Sequence, residues 1–326
     1  MILYGKDSVT SALNSMYANN RFPSGILLYG DRGVGKRTMA AYIACLLMCV
    51  DRKPDGSPCL ECRACRNVLN RQHPDVIYPE HSGKLNGFSM ETMRKLPFDA
   101  YISPNNGDRK LYVLDECDNF GAQQQNTLLK LIEEPPPFAH FVLTATAKDS
   151  LLETILSRVI SIGVPLCEES VCAHAVEALT GKDSNAVLDA VDCFGGNIGK
   201  CIEYLENDET RELADTVRKI ALSIVSRSEY NVQLLFNGLI SSRPKLRTAL
   251  LMLDGIVRDA AVIRLNDESG AKCSMTGSSR KVSAEMARII SYDKACRLHE
   301  NIVRAIGMLD SNANAAAVIP SLMIYV

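Results

Sequence analysis

The fold is decided by residues 30–36, which read Gly30-Asp31-Arg32-Gly33-Val34-Gly35-Lys36. A short apolar run, Ile26 to Tyr29, precedes this stretch, and a helical pattern from Arg37 to Met48 follows it. Glycines at such a strand-to-helix turn let backbone N–H groups face an anion, and the helix N-terminus adds its dipole. Lys36 can then reach the β- and γ-phosphates of a nucleotide. The bland alternative, a tight turn that holds no ligand, fits this context less well, so the sequence predicts a phosphate-binding loop.

The position after Lys36 departs from the usual pattern of such loops. That pattern places Ser or Thr there, because its hydroxyl binds Mg²⁺. Here the position is Arg37, and the hydroxyl comes one residue later at Thr38. One helical residue is a rotation of about 100°, so we expect Thr38 to point away from the metal position. The sequence leaves nucleotide binding open and argues against efficient Mg²⁺-dependent hydrolysis.

Two carboxylates further along the chain belong to the same predicted site. Asp115 and Glu116 follow the apolar run Leu111 to Leu114. In phosphate-loop proteins such an Asp supports Mg²⁺, and the Glu can polarise the attacking water. An isolated pair is often only a solvated strand end, but the upstream loop favours a functional role. The predicted, degenerate nucleotide site comprises Gly30, Gly33, Gly35, Lys36, Thr38, Asp115 and Glu116.

Four of the twelve cysteines form a spaced cluster, Cys49, Cys59, Cys62 and Cys65. Cysteines two residues apart can converge on one tetrahedral ion, and four thiolates around Zn²⁺ form a closed structural site. A dithiol redox centre is the competing interpretation, since CxxC also occurs in oxidoreductases. Overlapping pairs with a fourth cysteine favour zinc, with Cys45 as a possible replacement for Cys49. The other cysteines are expected to be small buried hydrophobic residues.

The rest of the pattern divides the chain into an α/β part and a helical part. Compact β-rich runs alternate with helical segments up to Pro165, which predicts a parallel sheet covered on both faces. The expected strands lie at 26–29, 75–78, 111–114, 141–143 and 159–164, and the expected helices at 37–48, 123–132 and 149–157. After Pro165 we expect three short helices up to Glu206, then longer helices with one loop at 266–279.

Length and composition exclude several classes of protein. At about 150 residues per domain, 326 residues predict roughly two domains, and 47% hydrophobic residues exclude wholesale disorder. The net charge of −2 does not suit a protein that coats nucleic acid by bulk charge. The sequence shows no signal peptide and no apolar run of the ~18 residues that a membrane span needs. We therefore expect a cytoplasmic protein with reduced thiols.

Several motifs in order resemble one known family. They are the phosphate loop with its cysteine insertion, His73-Pro74-Asp75, Asp115-Glu116, the segment from Gln125 to Pro136 (QNTLLKLIEEPP), Ser157-Arg158-Val159 and Asn312-Ala313-Asn314. The chain resembles the clamp-loader branch of the bacterial AAA+ proteins, the gamma/tau and delta-prime subunits of DNA polymerase III. The match extends from about Gly25 to Ser161 and weakens afterwards.

The resemblance implies an architecture and a set of partners. It implies an AAA+ P-loop-type α/β domain at 1–165 with a parallel sheet and an inserted zinc module at about 49–65. A small helical lid at 166–206 and an all-α collar at 207–326 would follow. Such subunits assemble with gamma/tau and delta subunits into a pentamer that opens the sliding clamp and places it on primed DNA.

The resemblance also assigns Arg158 the role of an arginine finger that acts on ATP held by a neighbouring subunit. A guanidinium can stabilise the charge that develops on a transferring phosphoryl group, whereas an arginine at a helix C-terminus can also be purely structural. Arg37, and Gly199 where gamma/tau has a nucleotide-sensing arginine, are similar to the non-hydrolysing delta-prime members. A catalytically active gamma-type ATPase is the alternative. The family's first sensor corresponds to Thr144 or Thr146, and the sequence does not choose between them.

Overall fold

A computed structural model describes residues 2–81, 88–269, 279–311 and 314–323. The chain divides into two compact units, residues 1–167 and 168–326. The first is the α/β unit and the second contains only helices among its described residues. The further division of the second unit into lid and collar at residue 206/207 stays a prediction.

Five parallel strands form the sheet of the first unit, in the order β2-β3-β4-β1-β5. The strands are β1 Gly25–Tyr29, β2 Val76–Ile77, β3 Lys110–Leu114, β4 Ala139–Ala145 and β5 Ile160–Gly163. Each predicted strand is present, and the parallel pairing is confirmed. The sequence pattern did not reveal the order, which places β4 between β1 and β3.

Six helices accompany the sheet in the described part of the first unit. They are α1 Asp7–Ala18, α2 Lys36–Met48, α3 Arg63–Leu69, α4 Met90–Ala100, α5 Ala122–Glu133 and α6 Glu153–Leu156. Helices α1, α3 and α4 were not predicted. The helix predicted at 149–157 is wrong in part, because a 3₁₀ turn at Lys148–Ser150 is separated from the short α6.

The central strands are buried along almost their whole length because both faces of the sheet are covered. Ile26 and Leu28 of β1 pack with α2 on one side, whereas Leu27 of the same strand packs with Leu128 and Leu131 of α5 on the other. Successive side chains of a strand point to opposite faces, so one strand contributes to both cores. This packing fixes α2 and α5 on opposite faces of one rigid sheet.

The second unit begins with the three short helices that the sequence predicted, α7 Glu169–Thr180, α8 Ser184–Phe194 and α9 Ile198–Glu206. Gly181 ends α7 with φ +63°, a left-handed conformation that glycine adopts without a steric penalty. The remaining helices are α10 Asp208–Val225, α11 Glu229–Asn237, α12 Arg243–Ser269, α13 Arg280–Ile289, α14 Tyr292–Asp310 and α15 Ala315–Met323. They surround a core that includes Phe236, Leu253 and Leu298.

The loop predicted at 266–279 is wrong at its start, because α12 continues to Ser269. Residues 270–278 lie outside the described part of the chain, as do Asn312 and Ala313 of the predicted C-terminal signature. Among the described helices, none has an apolar stretch long enough to cross a membrane.

Candidate functional site

The candidate site lies where the carboxyl ends of β1, β4 and β3 meet at one edge of the sheet. The phosphate loop follows β1, Asp115 and Glu116 follow β3, and Thr144 is near the end of β4. Parallel strands bring the groups at their carboxyl ends together, which is where open α/β sheets bind ligands. The strand order therefore joins the predicted residues of the loop with two carboxylates that are about eighty positions away in sequence.

The glycines give the loop its shape. Gly30, Gly33 and Gly35 have φ values of +147°, +86° and +96°, which residues with a side chain rarely adopt. A Cβ on Gly30 would lie 2.8 Å from the carbonyl oxygen of Val164, so no side chain fits there. Gly35 directly precedes α2, whose first backbone N–H groups lack partners within the helix. The loop thus has the backbone geometry of a phosphate cradle.

Lys36 bonds to the loop itself. Its Nζ donates to the carbonyl oxygens of Gly30 at 2.6 Å and Asp31 at 2.9 Å. Burial lowers the pKa of Lys36, although Asp118, Asp115 and Asp31 counteract that shift. The ammonium of Lys36 is therefore hydrogen-bonded to carbonyl groups of its own loop in this structure.

Arg37 occupies the position where phosphate-loop proteins place the metal-binding hydroxyl. Its Nε donates to Oδ2 of Asp115, and its Nη2 donates to Oε1 of Glu116 at 3.1 Å. The hydrogen bond with Asp115 raises the pKa of Arg37. Asp115 and Glu116 are much less exposed than Arg37, at 16% and 24% against 60%. One guanidinium thus contacts both carboxylates that Mg²⁺ catalysis would need. Thr38, one residue further along α2, is exposed.

Glu116 and Thr144 complete this arrangement. Glu116 has φ +53° and ψ +47°, a left-handed conformation that is uncommon for a residue with a side chain. Its N–H donates to Oγ1 of Thr144 at 3.1 Å, and the Thr144 hydroxyl donates to Oδ1 of Asp115. Thr146 instead contacts Asp118, through its N–H at 2.8 Å and its hydroxyl at 2.8 Å. Of the two candidate sensors, Thr144 is therefore the one that contacts the predicted site.

Arg158 lies just after α6, in an exposed position away from the residues of the loop. Its Nη2 is 2.8 Å from Oε1 of Glu133, and its Nη1 donates to the carbonyl oxygen of Thr154 at 2.8 Å. The Arg158 and Glu133 side chains are 38% and 40% exposed. The guanidinium is thus paired within its own chain and accessible from outside it.

Gln125 explains why the predicted helix at 149–157 is interrupted. This buried side chain of α5 accepts a hydrogen bond from the Leu152 N–H at 2.8 Å and donates to the Ser150 carbonyl at 3.4 Å. A continuous helix would use those backbone groups internally. Gln125 therefore fixes the start of α6 and, through it, the position of Arg158. The sequence offered one signal for this role, a polar residue on the otherwise apolar face of α5.

The four predicted cysteines come together, with their Sγ atoms all within 4.8 Å of one another. Four thiolates at the usual Zn–S distance of about 2.3 Å would be about 3.8 Å apart, so the cluster fits that ion. The sulfur of Cys59 accepts a hydrogen bond from the Cys62 N–H at 3.2 Å, and the sulfur of Cys62 accepts one from the Cys65 N–H at 3.4 Å. These bonds orient the sulfur atoms toward a common centre.

Cys45 is not among the four sulfur atoms that converge. Burial alone would raise the pKa of Cys62, but hydrogen bonds from the backbone N–H groups of Cys65 and Val50 outweigh it and lower the pKa to about 6. Burial raises the pKa of Cys45 to about 12, and its thiol donates to the Cys65 carbonyl at 3.9 Å. Cys45 is fully buried, and the Sγ atom of Cys49, not that of Cys45, is the fourth in the converging group.

Comparison with known proteins identifies relatives of this chain. A family model described as DNA polymerase III, delta subunit, matches residues 5–166. The tau/gamma subunit of Haemophilus influenzae is 30% identical over 261 residues, which are 75% of this chain and 37% of that protein. The gamma/tau subunit of Mycoplasma genitalium is 24% identical over 89% of this chain and 47% of its own length.

The chain belongs to the family of DNA polymerase III clamp-loader subunits related to gamma/tau. It spans between about a third and a half of the length of the first curated relatives it matches. Among solved structures, a gamma subunit-related protein of Thermotoga maritima is similar at a TM-score of 0.48 with 16% identity, over 96% of this chain and 98% of that one. At that level the likeness adds nothing to the fold described above.

Proposed function

We propose that this clamp-loader subunit is of the delta-prime type and does not hydrolyse ATP itself. In this proposal it assembles in the cytoplasm with gamma/tau and delta subunits, and the complex places the sliding clamp on primed DNA. The chain would supply Arg158 as an arginine finger to ATP held by a neighbouring ATPase subunit. Zinc would be bound by Cys49, Cys59, Cys62 and Cys65 and would stabilise the segment between α2 and α3.

The observation that carries the proposal is the ion pair of Arg37 with both Asp115 and Glu116. Hydrolysis with Mg²⁺ needs the Asp for the metal and a carboxylate free to orient water. A guanidinium on the same oxygen atoms removes both functions, because it occupies the carboxylate oxygens that the metal and the attacking water would need. Arg158 is not affected by this loss, since its exposed guanidinium can act on another subunit's nucleotide.

A catalytically active gamma-type ATPase is the second candidate, and one observation favours it. Lys36, Asp115, Glu116 and Thr144 all meet at one edge of the sheet, which is the arrangement that an active site of this class requires. A rotation of the exposed Arg37 side chain would uncover the carboxylates.

Steady-state ATP hydrolysis by the purified chain distinguishes the two candidates. The proposal predicts no phosphate release above background in the presence of Mg²⁺, with or without DNA. Hydrolysis that Lys36→Ala abolishes would establish the gamma-type alternative. The Lys36→Ala variant is the necessary control because a contaminating ATPase would be unaffected by it.

A further inference from the structure

Arg37 and the carboxylates after β3 form a charge-balanced group. The Arg37 guanidinium contacts Asp115 and Glu116, and Nη2 of Arg32 is 3.8 Å from Oε1 of Glu116. Two arginines thus face two carboxylates, so the positive charge that a divalent cation would bring is already supplied by the chain. Asp115 also accepts the hydroxyl of Thr144 on its other oxygen.

A divalent cation would have to displace Arg37 to bind here. Mg²⁺ requires oxygen ligands at about 2.1 Å in octahedral geometry and gives up its water reluctantly. The Nε of Arg37 already donates to Oδ2 of Asp115, and a guanidinium with a raised pKa keeps its charge at every physiological pH. The motif's hydroxyl is also absent from position 37, so the ion would gain fewer ligands than in a phosphate loop with Ser or Thr.

We propose that the Arg37 guanidinium takes the place of a divalent cation at this site. Divalent metal is thereby excluded, and the structure of the loop and its carboxylates does not depend on Mg²⁺. This inference rests on the proposed non-hydrolysing function and extends it from catalysis to metal selectivity. The guanidinium takes the electrostatic role of the metal by joining the start of α2 to the end of β3. Any nucleotide phosphate that the loop accepts is accepted without a divalent ion.

The test is Mn²⁺ binding to the full chain, measured by electron paramagnetic resonance, for the natural protein and for Arg37→Ser. The substitution removes the guanidinium and restores the hydroxyl that follows the lysine in other phosphate loops. Removing one positive charge about 4 Å from a divalent ion changes the binding free energy by about 2 kcal/mol even in water, so Mn²⁺ should bind roughly thirtyfold more tightly. Adding Asp115→Asn to Arg37→Ser should abolish the gain.

Arg94→Ser is the matched control, because it makes the same change at an exposed arginine of α4 that is not part of the group formed with Asp115 and Glu116. It should bind Mn²⁺ as the natural chain does. Any Mn²⁺ that the cysteine cluster binds is the same in all variants and does not affect the comparison. Equal Mn²⁺ affinity in Arg37→Ser and the natural chain would overturn the proposal. A Mn²⁺ site in the natural chain that Asp115→Asn removes would overturn it as well.

The two proposals fail in different measurements. A natural chain that binds Mn²⁺ at Asp115 but releases no phosphate contradicts only the role of Arg37 as a cation. A natural chain that hydrolyses ATP contradicts the proposed function itself. Thermal unfolding gives a second readout: Mg²⁺ should raise the Tm of Arg37→Ser and leave that of the natural chain unchanged, whereas equal shifts would contradict the inference.

Discussion

At the scale of single residues, position 37 determines which partner the carboxylates have. The sequence predicted that Arg37 removes the metal-binding hydroxyl, because the motif's spacing is local. It did not predict that the guanidinium reaches Asp115 and Glu116, since that contact depends on the strand order. Thr144 and Thr146 show the same limit. They are two positions apart, so the alternation of side chains along a strand would place both on the same face. What separates them is that β4 ends at Ala145, so that Thr144 lies in the strand and Thr146 lies after it.

The proposed role of Arg158 is separable from its contribution to folding. Its ion pair with Glu133 joins two side chains that are each more than a third exposed, and exposed pairs typically contribute less than about 1 kcal/mol. We expect Arg158→Ala to lower the free energy of unfolding by no more than that, measured by urea denaturation. A loss of several kcal/mol would mean that the residue is structural.

At the scale of elements, the strands and helices α2 and α5 could be predicted from apolar periodicity, whereas α1 and α4 were missed and short elements held by side chains could not be predicted. The interruption before α6 depends on Gln125, a residue of a different helix. Cys62 caps the start of helix α3 and its sulfur accepts the Cys65 N–H, so the start of this helix depends on the cysteine cluster. A pattern of hydrophobic residues contains neither kind of information.

The zinc module gives a prediction at this scale. Cys62→Ser should weaken zinc binding by roughly a hundredfold or more and loosen α3, because metal binding there is also folding free energy. Zinc content and hydrogen exchange of residues 49–69 measure the two effects. Cys45→Ser is the matched control, since that thiol is not among the four that converge and its loss should leave stoichiometric zinc. Retention of tightly bound zinc by Cys62→Ser would contradict the proposed ligand set.

Helices α8 and α10 are joined by a second polar group, centred on Arg218. Its guanidinium is 3.0 Å from Asp189 and 3.5 Å from Asp192 of α8, and 3.2 Å from Asp215 of α10. The hydroxyl of Tyr204 donates to the other oxygen of Asp189 at 2.5 Å. Burial alone would raise the pKa of Asp189, but the hydrogen bonds from Tyr204 and Arg218 outweigh it and lower the pKa.

This pKa shift predicts how stability depends on pH. A carboxyl whose pKa is lower in the folded state stabilises the protein above its unfolded pKa of about 3.9 and stops doing so as the pH falls through the folded value. Asp189→Asn should therefore cost about 1 kcal/mol or less at pH 7, and the difference should shrink progressively as the pH falls below about 3.9. Glu212→Gln on the exposed side of α10 is the control. A cost that does not change with pH would contradict the role of the charge.

At the scale of the whole molecule, the predicted site residues all lie in the first of the two compact units. The first contains the phosphate loop, the cysteine cluster and Arg158, and the second is helical throughout its described residues. The net charge of −2 provides no bulk attraction to DNA, which would need a basic protein.

ATP hydrolysis by the reassembled complex tests the central claim most directly. The chain is combined with gamma/tau and delta subunits, and DNA-stimulated hydrolysis is compared for the natural chain, Arg158→Ala and Arg94→Ala, the last being an exposed arginine of α4. An arginine finger contributes about a thousandfold or more at the site it faces. We predict that Arg158→Ala abolishes the contribution of that site while the Arg94→Ala complex remains fully active. Hydrolysis at the natural rate by the complex with Arg158→Ala would contradict the account.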